Sequence, residues 1–263
     1  MKRAPIKSDI AWSAPDRVMI HGYNLCEELV GKIDFGQMTF LQIFSRMPAN
    51  DDELRMFNAV MVILVEHGIT PSSLSTRLTL SGAPESVQAA VAAGLLGLGS
   101  VFVGSLDQAA KMLQEAIPDA ANPGNLDQMA EEIVTDFLGR KAIIPGIGHP
   151  FHKPIDPRTT ALFQVARETG FYGPYADLIT LIGQKAEAKT GKVLPVNVTA
   201  AMAAVVSQMG LSWRYCRGLA VAARAVGLVG HIIEEIRQPM AGEIYMRIEH
   251  EAGEHLAPKD ERS

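Results

Sequence analysis

Cysteine is scarce in this chain of 263 residues, which holds only Cys26 and Cys216. The two lie far apart, no CxxC occurs, and no apolar N-terminal segment precedes a cleavage site, so a reduced, cytoplasmic protein without a disulfide framework is expected. Charge of one sign is also thin: 24 Lys and Arg stand against 29 Asp and Glu, the formal net charge is −5, and the cations are scattered. That excludes the electrostatic footprint of a nucleic-acid or anionic-lipid partner. Runs that alternate polar with β-branched residues are few, which argues against a fold built on strands. Neither GxxxxGK[ST] nor a GxGxxG between strand and helix occurs, so no phosphate loop is expected. HExxH and cysteine clusters are missing too, and no metal is expected although His149, His152 and Asp156 stand close in sequence. Two windows, Ser86 to Leu106 and Val193 to Trp213, carry no formal charge. Their glycines and their Asn, Thr, Ser and Gln residues suit buried helices better than membrane spans.

Helical periodicity is what the chain has in quantity, with 48% hydrophobic residues and 20% charged. Leu54, Phe57, Met61 and Leu64 recur at three and four, with Met56, Val60 and Ile63 beside them. This helix should be buried and should stop near His67, where Gly68 can take a left-handed cap and Pro71 cannot continue the ladder. Further helices are expected at 24–30, 35–45, 86–96, 105–116, 126–139, 157–168, 175–190, 199–209 and 214–237. The fold class is all-α. In the last of these, Gly218, Ala222, Ala223, Gly227 and Gly230 suit a tight helix seam. Residues 1–15 and 251–263 read as loosely ordered tails.

The stretch Ile143 to Arg158 has two Gly, four Pro and two His and no helical stripe. Its glycines let a ligand approach the backbone, and Pro157 fits the first turn of a helix whose N-terminus favours an anion. Such a loop suits an anionic ligand, or it is a stiff connector with solvated His and Lys. His67 reads as a capping residue or as a ligand. Arg224, inside the apolar run Leu219 to Ile233, needs a carboxylate from the protein or from a substrate, because an unpaired buried guanidinium is costly.

Gly146-Ile147-Gly148-His149-Pro150-Phe151-His152-Lys153 followed by Asp156-Pro157-Arg158 resembles the GxGHxxxKxxDPR signature of citrate synthases and citryl-CoA lyases. His21-Gly22-Tyr23-Asn24 with Leu29-Val30-Gly31-Lys32 and Phe35 resembles the opening RGY…L.GK..F, and Glu66-His67-Gly68 the (D/E)HG helix end. Pro195-Val196-Asn197-Val198 resembles the PNVD element, and Ala223-Arg224 through Gly230-His231 the SRxxGxxGH helix. The resemblance runs from about His21 to Tyr245. It implies a single domain over 16–250, with a large helical subdomain of about 16–101 and 200–250, a small one of about 102–199 and a cleft between them. It also implies a homodimer or higher homo-oligomer. His149 would act as acid or base at the hydroxyl or carbonyl of the 2-oxo acid moiety, and His67, Arg158 and Arg224 would bind its carboxylates. Arg237 resembles a substrate-binding arginine of the lyase module of ATP-citrate lyase. Gly146, Ile147, Gly148 and Lys153 lie where the family binds coenzyme A.

Two departures give direction. Where citrate synthases have GPxHGG, this chain has Gly99 to Gly104 with Phe102, and Gly104 to Met112 resembles the string GDRFGGALDAAAKMF of the lyase module. The family's catalytic Asp is replaced by Thr199, whose hydroxyl cannot serve as a carboxylate base. The expectation is a citryl-CoA-lyase-like enzyme that cleaves a 3-hydroxy-3-carboxyacyl-CoA to acetyl-CoA and oxaloacetate, or performs the related condensation. A lyase or carboligase on another acyl-CoA, and a catalytically impaired CoA-ester-binding relative, are the alternatives.

Overall fold

The computed structural model describes residues 6–99 and 104–256; Phe102, within the expected GPxHGG counterpart, lies outside the described residues. Those residues form eleven α-helices and one small three-stranded sheet. The chain divides into two compact units, Met1–Val60 with Ala109–Trp213, and Met61–Gln108 with Arg214–Ser263. They cut the chain at other places than the subdomains expected by analogy, 102–199 and its flanks, which stay a proposal of the resemblance.

The first unit opens on β1 (Ala11–Ala14), β2 (Arg17–Ile20) and β3 (Tyr23–Asn24), paired antiparallel in that order. β1 uses residues read from the sequence as a loose tail: they are ordered because Ala11 pairs with Ile20 and the His21 N–H reaches Ile10 O at 2.8 Å. His21 and Gly22 sit at φ 47° and 88°, the double left-handed turn that closes a two-residue hairpin, so part of the opening motif is a turn. A short π-helical turn, Leu25–Leu29, follows, capped by the Asn24 side chain. α1 (Phe35–Phe44) starts on a full capping box between Asp34 and Gln37. Its Phe40 and Phe44 meet Phe57 of α2 (Asp51–Val65) edge to face.

Four further helices build the rest of this unit. α6 (Leu126–Gly139), α7 (Pro157–Glu168) and α9 (Val198–Gln208) begin on Asn125, Asp156 and Asn197, whose side chains accept backbone N–H groups of the first turn. α8 (Pro174–Thr190) begins with Pro at its first position and ends on Gly191 at φ 66°. α9 is apolar all round, and Val198 and every residue from Ala200 to Ser207 are buried, which makes it the central helix, packed by α7 and α8.

The second unit packs α3 (Pro71–Gly82), α4 (Val87–Leu96), α10 (Cys216–Arg237) and α11 (Ala241–Gly253). α5 (Gly104–Ala116) runs in sequence across the boundary between the units. α3 was not expected, because Ser and Thr dilute its apolar stripe, yet Thr70 and Ser73 form a capping box and Pro71 occupies the first turn. α11 and a 3-10 turn carry helix to Leu256, into the segment read as the C-terminal tail. Gly94 allows α4 to close on α3, since a Cβ there would lie 2.1 Å from Thr76 Oγ1. Among the described residues Trp213–Arg237 is the helix long and apolar enough to cross a membrane by length and composition. Its paired buried residues, His231 and Glu235, instead mark a core helix of this unit.

Candidate active site

In the first unit, the loop that ends at Asp156 lies along the segment leading into α9. Gly148 N–H donates to Pro195 O at 2.7 Å and Asn197 N–H to Gly146 O at 3.0 Å, while Ile147 and Val196 form a bridge. Asn197 Nδ2 adds a bond to Gly148 O at 2.9 Å. Gly146 and Gly148 sit at φ 80° and 90°, and a Cβ on Gly146 would lie 2.3 Å from that of Ala200. Glycine is therefore required at 146 both for its backbone conformation and for the approach to α9. Three of the expected cofactor-binding positions, Gly146, Ile147 and Gly148, are brought together here. Lys153 is exposed, followed by a cis peptide to Pro154.

Asp156 closes the loop. It has no solvent exposure, and its two oxygens accept from Arg158 N, Nε and Nη2 and from Val198 N, all at 2.9–3.0 Å. Burial alone would raise its pKa, but the Arg158 guanidinium and the backbone donors outweigh it and hold the carboxyl below the ordinary range. Asp156 is thus the cap of α7 and the clamp of Arg158. Held in this way, Arg158 Nη2 comes within 3.3 Å of His149 Nε2.

The His149 ring is oriented from its other side. Nδ1 accepts the N–H groups of Phe151 at 3.1 Å and His152 at 3.0 Å, so the proton of the neutral imidazole resides on Nε2. Nε2–H and the Arg158 Nη2–H are then both donors, and neighbouring donors suit one oxygen that carries negative charge. In this resting tautomer His149 presents an Nε2–H donor, the form from which an imidazole can act as an acid. Thr199 lies in the first turn of α9, with its N–H on Asn197 Oδ1 at 3.0 Å and its side chain partly exposed.

In the second unit, α2 stops at Val65 and Gly68 takes φ 75°, as the sequence implies. His67 is exposed, and its N–H and that of Gly68 donate to Glu66 Oε1 at 2.7 and 2.6 Å. Arg224 lies on α10 with Nε buried and without a hydrogen bond among the described residues. Desolvation lowers its pKa, partly offset by the Glu66 carboxylate. Arg237 ends α10 on the exposed side. Sequence reading passed over Arg77, which is fully buried and donates to His231 Nδ1 from Nε at 3.1 Å and to Glu235 from Nη1 at 2.9 Å. The available signal was one cation amid Leu74, Leu78 and Leu80, in a helix whose stripe was too weak to notice.

Comparison with known proteins follows the same lines. The profile of the citrate synthase C-terminal domain matches residues 18–247. The structure resembles that of citryl-CoA lyase from Hydrogenobacter thermophilus with a TM-score of 0.79 and 34% identity, covering 89% of this chain and 88% of that one. ATP citrate lyase from Methanothrix soehngenii, solved with citrate and coenzyme A, gives 0.72 at 24% identity, over 90% of this chain and 40% of that one, and shows the fold alone. Citrate synthase of Deinococcus radiodurans is 25% identical over 199 residues, 74% of this chain and 51% of that protein. The chain spans about half the length of that curated relative.

Proposed function

Since the chain belongs to the citrate synthase family, matched over residues 18–247, we propose that it cleaves citryl-CoA, or a close 3-hydroxy-3-carboxyacyl-CoA, to acetyl-CoA and oxaloacetate. The observation that carries this reading is the pair of donors, His149 Nε2–H and Arg158 Nη2–H, held 3.3 Å apart in a loop with the family signature. The likeness to a citryl-CoA lyase over nearly the full length of both chains supports it.

The reaction breaks the bond between the hydroxyl-bearing carbon and the methylene beside the thioester. The hydroxyl oxygen gives its proton to solvent water and becomes the carbonyl of the 2-oxo acid. The electron pair of the broken bond passes into the thioester enolate, which takes up a proton to give acetyl-CoA, so atoms balance without another reactant. His149 and Arg158 would stabilise negative charge on that oxygen and on the adjoining carboxylate. His67, Arg224 and Arg237 would serve the remaining carboxylates, and Gly146 to Gly148 with Lys153 the coenzyme A portion.

Thr199 stands where the resemblance places the family's carboxylate base, and its hydroxyl is far too weak a base to take a proton from the acetyl-CoA methyl. Cleavage and condensation share their transition states, so Thr199 favours neither direction; in cleavage the enolate would take its proton from water. The alternative, a CoA-ester-binding relative with little activity, is favoured by Thr199 alone. Calorimetry and thermal unfolding with coenzyme A test the reading: saturable binding and a melting temperature that climbs with concentration are expected. Absence of binding at millimolar coenzyme A would overturn it.

A further inference from the structure

Arg224, Gly227 and His231 follow one another at three and four residues and share one face of α10. The end of α2 is seated on that face at Gly227, where a Cβ would lie 2.0 Å from Val65 O and 3.1 Å from Glu66 Oε2. Only a residue without a side chain lets the two backbones meet there. The seating leaves Glu66 flanked along α10 by Arg224 on one side and His231 on the other.

Both oxygens of Glu66 are engaged. Oε1 accepts the N–H groups of His67 and Gly68, and Oε2 faces His231 Nε2 at 3.1 Å, close to it but outside in-line hydrogen-bond geometry. Its side chain is nevertheless 43% exposed, so nothing in its burial demands so many partners. The His231 tautomer is set from behind: Nδ1 accepts from Arg77, which leaves the proton on Nε2, toward Glu66. Arg77 is fixed in turn by Glu235, whose other oxygen accepts the N–H groups of Met240 and Ala241 at 2.9 and 2.8 Å and so caps α11. Glu234 also pairs with Arg77. Two carboxylates already neutralise this buried guanidinium, so the link onward through His231 to Glu66 is not needed to keep Arg77 paired. What the link does is hold the end of α2. The acidity of Glu66 agrees: burial acts to raise its pKa, yet the His67 N–H, His231 and the Gly68 N–H bring it below the ordinary value.

We infer that Glu66 is a positioning residue, which orients the backbone of His67 and Gly68 from a rigid base formed by His231, Arg77 and Glu235 and offsets the charge of Arg224 one turn away on the same face of α10. The inference rests on the reading above in one respect: His67 and Arg224 are the groups assigned there to substrate carboxylates.

The test measures two quantities on the wild type and on Glu66→Ala, Glu66→Gln and His231→Ala: amide exchange at His67 and Gly68, and calorimetric affinities for oxaloacetate and for coenzyme A. In Glu66→Ala, exchange at these two amides is expected to speed up about tenfold and oxaloacetate to bind about 10- to 100-fold more weakly, with coenzyme A within about twofold of wild type. Glu66→Gln keeps an acceptor oxygen but no charge. It should restore the protection of the two amides and leave oxaloacetate binding weak. His231→Ala should lie between. Unchanged exchange and affinity in Glu66→Ala would overturn the inference, and so would an equal loss of both ligands, the sign of general damage. If wild type binds no oxaloacetate at millimolar concentration, the citryl-CoA reading fails, and exchange alone decides the role of Glu66: acceleration at His67 and Gly68 upholds it, and its absence removes it.

Discussion

Asp156 has no contact with solvent, and it stays ionised because four donors converge on its two oxygens. Asp156→Asn should therefore cost about 3 kcal/mol, since it leaves Arg158 without its charge partner. The pH dependence has a definite sign. The carboxyl is held below its ordinary value, so its contribution is fully present above the unfolded pKa of about 4 and is lost as pH falls through the lower folded value. Urea unfolding should show a constant gap between wild type and Asp156→Asn from about pH 6 upward, narrowing below about pH 4. A gap independent of pH would contradict this assignment. Thr199 makes a second case. If residue 199 faces the thioester carbon, Thr199→Asp should raise exchange of the acetyl-CoA methyl protons with solvent, by up to about 10² to 10⁴-fold if the geometry suits a general base. Exchange, turnover and thioester affinity all equal to wild type would place residue 199 away from the reacting carbon.

At the scale of elements, α10 separates glycines that the sequence could not rank. All of Gly218, Gly227 and Gly230 suit a helix seam by composition, but only Gly227 has another backbone against it, and nothing lies within 4 Å of a Cβ at 218 or 230. Gly230→Ala should stabilise the protein by about 0.5–1 kcal/mol through helix propensity. Gly227→Ala should destabilise it by about 1–3 kcal/mol through overcrowding and weaken oxaloacetate binding with it. Thermal unfolding of the two variants checks the contrast, and equal shifts would mean that α2 is not seated at residue 227. The same separation of composition from context explains what was legible. Helices with strong stripes or clear stops, such as α2 and α8, were readable in the sequence. α3 was missed because its start is written in a capping box while its stripe is broken by Thr76 and Arg77, polar residues that packing nevertheless buries. The hairpin at Ala11–Asn24 was missed because its strands are at most four residues long and its turn depends on positive φ at His21, a non-glycine residue.

For the whole molecule, the family was legible because a long ordered string, Gly146 to Arg158, constrains backbone and charge together, and the match over 18–247 bears that out. The individual roles were less legible. That His149 is a donor follows from two backbone N–H groups on Nδ1, and no spacing of residue types encodes them. Arg77 and Glu66 gain their importance from partners more than 150 positions away along the chain, His231 and Glu235. The chain itself is about half the length of the citrate synthase it matches and nearly the full length of the citryl-CoA lyase. The most direct test is release of oxaloacetate from citryl-CoA by the purified wild type and by His149→Ala, at equal protein and with folding checked by circular dichroism. The account predicts stoichiometric oxaloacetate and acetyl-CoA from the wild type, and a rate at least about 10²-fold lower once the Nε2–H donor is removed. No cleavage by the wild type, or undiminished cleavage by His149→Ala, would contradict it.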